Sequence, residues 1–164
     1  MIDTIIFILL LPLIVASLLF LLCVAILLFI VFSYLLTGLV LHLMVWFFWC
    51  RCGRYVLLVY SDSPIWQGFF ETNILPRLGE RAVVLNWSHR NRWRFSLAVR
   101  VFWYFAGPHD FNPIALVFRP FRRTRQFRFY QPFRQFKHGR TDAVTNLEHA
   151  LYQYVDEVSG VSST

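Results

Sequence analysis

Hydrophobic positions run unbroken through the first third of the chain and in short, polar-punctuated blocks after it. From Thr4 to Cys50 there is no Asp, Glu, Lys or Arg, whereas about 20 apolar residues suffice to cross a hydrocarbon layer of about 30 Å. Residues 1–52 are therefore expected to form a retained membrane anchor. A secretory signal fits poorly, because Asp3 stands where a basic n-region belongs and the apolar run exceeds an h-region of about 7 to 15 residues. As one helix, residues 4–50 would measure about 70 Å, more than twice what a crossing needs. A kink at Pro12 or a break at Ser33-Tyr34 and Thr37-Gly38 would relieve that excess. A break there would leave Leu39–Cys50, about 18 Å of helix, for a second crossing. One long span with an interfacial or tilted continuation is favoured, and a two-span hairpin stays open. The aromatic cluster "WFFWC" at 46–50, just before Arg51, has the composition of a headgroup-level belt and predicts the membrane boundary there.

From residue 53 the pattern predicts a separate α/β domain, 53–164, of three layers with about four strands. "RYVLLVYSDSP" at 54–64 reads as a buried strand closed by a turn. "IWQGFFETNILPRLG" at 65–79 follows as a helix disturbed by Pro76, with Ile65, Phe69, Ile74 and Leu78 near helical spacing. A strand at 81–88, a helix at 94–107 and a strand at 112–121 come next, and "RQFRFYQPF" at 125–133 alternates as a fourth strand would. In that strand Phe127 and Phe129 share one face and Arg128 and Tyr130 the other. An amphipathic helix at 142–158 ends the domain, with Asp142 as its cap and Val144, Leu147, Leu151, Tyr154, Val155 and Val158 on its apolar stripe. No Gly/Ser linker separates anchor from domain, so the domain is expected close to the bilayer.

Charge then orients the chain. All 16 Lys and Arg residues lie after the charge-free run, from Arg51 onward, which predicts an integral membrane protein with its soluble domain facing the cytoplasm. The densest run, "FRPFRRTRQFRFYQPFRQFKHGR" at 118–140, contains no carboxylate. Its bases, Arg119, Arg122, Arg123, Arg125, Arg128, Arg134, Lys137 and Arg140, are the candidate anion and headgroup ligands. A tethered domain gains about 1 kcal/mol for each basic residue held near an anionic leaflet. The interleaved rings are expected to be the core faces of two strands, and the arginines a surface, since a core cannot hold them unpaired. The same strip on an untethered domain would suggest single-stranded nucleic acid, which the anchor makes the weaker partner. Anionic phospholipid or an acidic protein is the expected partner, with self-association through the anchor left open because no G-x-x-x-G motif specifies it.

The remaining chemistry is sparse. Cys23 falls inside the anchor, and Cys50 and Cys52 are too few for a zinc site; reduced thiols are expected there, with juxtamembrane palmitoylation as the alternative. His42 is expected to be an interfacial or packing histidine, having no carboxylate or second histidine nearby in the sequence. Neither a P-loop nor a G-x-G-x-x-G occurs. Ser61, Asp62 and Ser63 do fall where a strand ends and a helix begins, the usual ligand crevice of an open α/β sheet; helix capping is the plainer role for Asp62 or Ser63. Ser61, Ser63, Ser88, His89, His109 and Asp110 supply the residue types of a hydrolytic triad without a G-x-S-x-G elbow. His89, His109, His138 and His149 lack metal-ligand spacing. No cofactor or metal is expected.

"YVLLVYSDSPIWQGFFETNIL" at 55–75 resembles the opening strand and helix of TIR and SEFIR signalling domains. The resemblance implies a role in a signalling assembly; it carries over no catalytic glutamate and no NAD-cleaving activity, and the basic, Phe-rich end departs from that pattern. The expected function is a membrane-anchored cytoplasmic interaction or regulatory module whose basic face meets anionic headgroups or an acidic partner. The alternatives are a membrane-surface enzyme or nucleotide-sensing domain using the Asp62 crevice, the enzymatic reading being the weaker, and nucleic-acid binding through the basic strip.

Overall fold

The computed structural model describes residues 2–136 and 141–160, with residues 2–9 described by their backbone alone. The chain divides into two compact units between Val40 and Leu41.

The first unit is helix. It belongs to α1 (Ile2–Phe48), which runs through Pro12 and through 33–38 without a turn. The hydroxyls of Ser17 and Thr37 donate to the carbonyls of Ile14 and Ser33, each at 2.8 Å, so the helix's own backbone satisfies these two side chains. Its large apolar residues from Leu10 to Val40 are exposed on every side. Among the described residues this is the one helix long and apolar enough to cross a membrane.

The second unit is an α/β domain on a four-stranded mixed sheet, ordered β2-β1-β3-β4. Its strands are β1 (Val56–Tyr60), β2 (Ala82–Asn86), β3 (Ile114–Val117) and β4 (Arg125–Arg128). β1 is central, running parallel to β2 from the Val56–Ala82 pair to Tyr60–Asn86 and antiparallel to β3 from Val56–Val117 to Val59–Ile114. β4 completes the sheet antiparallel to β3. Both faces of β1 are buried, which is why its sequence is continuously apolar rather than alternating.

Successive β1 side chains point to opposite faces, and each face has its own core. Val56, Leu58 and Tyr60 join Phe70, Ile74 and Leu78, together with Phe129 and Phe133, Val144, Leu151 and Val155. Leu57 and Val59 join Val101 and Phe102 of α4 (Leu97–Phe105), Phe118, and Leu41, Val45 and Trp49. Residues 41, 45 and 49 recur at four-residue steps, one stripe of a helix. The last turns of α1 are thus core elements of the domain, and the structural division falls at 40/41, well before the composition shift at 52/53.

Other local departures have physical causes. The segment expected as a helix at 65–79 forms α2 (Gln67–Phe69), a π-helical turn at Phe70–Ile74 and α3 (Leu75–Leu78). Pro76 has no N–H for the carbonyl one turn back, and a widened turn accommodates its ring. The buried stripe is Phe70, Ile74 and Leu78, with Phe69 only partly buried. The strand expected at 125–133 stops at Arg128; α5 (Tyr130–Phe136) follows. Pro132 lies in the first turn of α5, where its missing N–H costs nothing, and the Phe133 N–H bonds the Phe129 carbonyl at 3.0 Å. α6 (Asp142–Ser159) buries Val144, Leu151, Tyr152 and Val155. Thr141, rather than Asp142, holds its cap position, and the Asp142 carboxylate sits in the first turn, where the helix dipole favours it.

Candidate functional site

The crevice at the ends of the parallel strands contains the polar groups expected of it, and they are turned toward one another. The Asp62 N–H donates to Ser88 Oγ at 3.0 Å, Asn86 Nδ2 donates to Asp62 Oδ1, and His89 Nε2 lies 3.7 Å from Asp62 Oδ2. Asn86 Oδ1 also accepts the Ser88 N–H at 2.9 Å, capping the short helical turn Trp87–Arg92. Ser61 Oγ accepts from Trp66 Nε1 and from Asn112 Nδ2, both at 3.1 Å. Ser63 opens the next helical segment, its carbonyl accepting the Trp66 and Gln67 N–H groups at 3.2 and 2.9 Å. Asp62 therefore joins the end of β1 to the end of β2 instead of capping that segment. Asp62, Ser88 and His89 meet, whereas Asp110 accepts from Gln131 Nε2 at 3.2 Å and the His109 carbonyl faces Arg128. The structure brings together a carboxylate, a serine and an imidazole, but the serine oxygen faces a backbone N–H. Tyr60, at the end of β1, has its phenol pushed above the usual range, chiefly by burial and then by the Glu71 carboxylate.

The basic strip separates into members with different work. Arg128 Nη2 donates to the Ala106 carbonyl and to Gln126 Oε1, both at 2.6 Å, and Nη1 donates to the His109 carbonyl. Gln126 Nε2 donates to the Phe105 carbonyl at 2.6 Å. Side chains of β4 thus satisfy the open C-terminal carbonyls of α4, where a cation also suits the dipole. Arg125 lies over the Phe127 and Tyr154 rings at 5.2 and 4.7 Å. Arg119 Nη1 pairs with Glu157 Oε1 at 2.8 Å. Arg122, Arg123 and Arg134 are exposed, and Arg122 and Arg123 have no side-chain partner among the described residues. Lys137 and Arg140, like His138, lie outside the described residues. Phe118, Phe127, Phe129 and Phe133 are buried, as core faces should be; Phe121 is 83% exposed.

Phe121 is unusual in its backbone as well. The Arg122 N–H bonds the Arg119 carbonyl at 3.2 Å, closing a turn in which Pro120 is the second residue and Phe121 the third. Phe121 has φ 58°, the positive value that a type II turn demands at that position and that normally selects Gly or Asn. A bulky residue there stores about 1–3 kcal/mol of strain. The turn is seated on the last part of α1. His42 Nε2 lies 3.3 Å from the Arg119 carbonyl, its ring 6.1 Å from Phe118, and Phe121 meets Trp46 edge-on at 4.8 Å between centroids. His42, lone in the sequence, acquires its partner 77 residues away. The special backbone of Phe121 was beyond sequence reasoning, although Pro120 was a signal for a turn.

Cys50 is buried, while Cys23 and Cys52 are exposed; among the described residues no group of His, Cys, Asp or Glu could hold a metal ion. The chain matches no model of a known protein family, no curated protein and no solved structure. The likeness of residues 55–75 to TIR and SEFIR domains therefore carries no more than those residues do.

Proposed function

We propose that the protein is a membrane-anchored cytoplasmic module, held directly against the bilayer, whose basic surface engages anionic phospholipid headgroups. The observation that carries this reading is the change of environment along a single helix. From Leu10 to Val40 its apolar side chains are exposed all round, a surface stable only in lipid or in a partner's core. From Leu41 onward the same helix is part of the domain's own core. No Gly/Ser-rich linker separates the apolar run from the residues that follow it. Arg51, Arg54 and the bases after them put the domain on the cytoplasmic side by the positive-inside rule.

The mechanism is positional. The anchor confines the domain to two dimensions, and Arg122, Arg123 and Arg134 supply charge to the inner leaflet. The test is alkaline extraction and protease protection of the full chain in membranes. The chain should stay with the bilayer, with its C-terminal part cut only from the cytoplasmic side. Release into the supernatant, or cutting only from the opposite side, would overturn the reading.

A further inference from the structure

From the turn Arg119-Pro120-Phe121-Arg122 we infer a second membrane contact: Phe121 is a wedge that enters the acyl–headgroup boundary while Arg122 and Arg123 meet lipid phosphates. The inference rests on the anchored reading above and adds to it a specific site on the domain.

Three observations converge. Phe121 holds a positive φ that glycine would hold without strain, so something must favour the large ring at that position. The fold supplies little of it, since the ring is 83% exposed and meets the edge of Trp46. A ring that is strained into place and then left in water has its natural partner outside the chain. The turn also has the right address. It is tied to α1 at His42 and Trp46, and Trp46 opens the aromatic cluster at 46–50, whose composition is that of a headgroup-level belt. Finally, the neighbours of the ring are cationic: Arg122 and Arg123 are exposed, directly follow Phe121, and have no side-chain partner among the described residues. An apolar ring flanked by guanidinium groups matches an anionic lipid surface, apolar below and phosphate above. An acidic protein would satisfy the arginines and leave the ring unexplained.

The experiment uses the full chain in vesicles of phosphatidylcholine with and without phosphatidylserine, with the photoreactive analogue p-benzoylphenylalanine placed at residue 121 or, as a control, at residue 95. Phe95 is the control because it is 90% exposed and lies just before the opposite end of α4 from Phe105. Vesicle flotation is read in the same samples. The expected result is flotation of both variants and a lipid adduct from residue 121, several-fold stronger than from residue 95 and increased by phosphatidylserine. Flotation with no lipid adduct from residue 121, or with equal adducts from both positions, overturns the wedge and leaves the anchor standing. Failure to float overturns the anchored reading, and the wedge falls with it. A second variant separates a lipid role from a structural one. Phe121→Gly should unfold at an equal or higher temperature in detergent micelles, yet lose the protection of Arg122 and Arg123 from trypsin that anionic vesicles confer. A lower unfolding temperature with protection unchanged would make Phe121 a packing residue and overturn the proposal.

Discussion

At Arg128 the guanidinium meets the carbonyls of Ala106 and His109 and the amide oxygen of Gln126. Removing it would strand carbonyls at a helix end and take a cation from the negative end of α4. Arg128→Gln should therefore destabilise the domain by about 2 kcal/mol, seen as a lower unfolding midpoint in micelles where no lipid surface is present. Tyr152 gives a second prediction at this scale. Its hydroxyl donates to the Asn73 carbonyl at 2.9 Å, and its phenol is pushed well above the ordinary value, first by burial and then by the Glu148 carboxylate, with Arg77 opposing. A raised value means that the folded state holds the proton more tightly than the unfolded one. The stability this provides is complete below the ordinary tyrosine value of about 10 and is lost as pH rises above it. Tyr152→Phe should cost about 1 kcal/mol at neutral pH and flatten the alkaline limb of a stability–pH profile; Tyr60, shifted in the same direction, leaves part of that limb in place. Neither role was legible in the sequence. Seven arginines in one run look alike as letters, and only the packing of β4 against the end of α4 distinguishes Arg128 from Arg122.

The last turns of α1 carry the main prediction at the scale of elements. Val45 is 1% exposed, and Leu41 and Trp49 are buried beside it. A fragment beginning at residue 53 would expose the sheet face that these side chains cover, whereas one beginning at residue 41 keeps it covered. Hydrogen exchange of β1 and β3 should be slow in the 41–164 fragment and fast in the 53–164 fragment; equal protection would mean that α1 contributes nothing to the core. In the full chain, Trp49→Ala should cost about 3–5 kcal/mol, the usual loss for a buried large aromatic. The order of strands and helices was legible because each apolar block has a length and a closing turn that suit one element. The role of residues 41–49 was not, since a four-residue stripe has no contrast inside a run where every position is apolar. α5 was hidden differently. Phe127 and Phe129 read as alternation, while Phe129, Phe133 and Phe136 equally fit helical steps, and the sheet ends at Arg128 before the first pattern can continue. The crevice was legible in position and not in meaning: Asp62 and Ser61 stand where a ligand would be met, and the structure turns them onto Asn86, His89, Trp66 and Asn112.

Over the whole molecule a net charge of +7 has to be reconciled with few internal counter-ions. Asp156 takes Arg81 at 3.1 Å and Arg77 at 3.9 Å, and Glu157 takes Arg119. Arg125 is held over aromatic rings and Arg128 against carbonyls. These groups have partners within the domain, so removing their charge also removes a contact. Arg122 and Arg123 are not committed in this way, and their substitution separates surface electrostatics from folding. The double variant Arg122→Gln, Arg123→Gln should leave the unfolding midpoint in micelles within about 0.5 kcal/mol of the parent, as for ordinary surface changes. In anionic vesicles it should lose about 2 kcal/mol of surface attraction, roughly thirtyfold in the docked-to-undocked ratio, at about 1 kcal/mol for each base. Spin-label accessibility near the turn, followed as salt is raised, measures that ratio. The parent should lift away with increasing salt because the contact is screened beyond about 10 Å at 0.1 M, and the variant should already be lifted at low salt. If parent and variant are equally close to the surface at every salt concentration, the anchor alone positions the domain. The uncommitted arginines would then face water or an acidic protein instead of lipid.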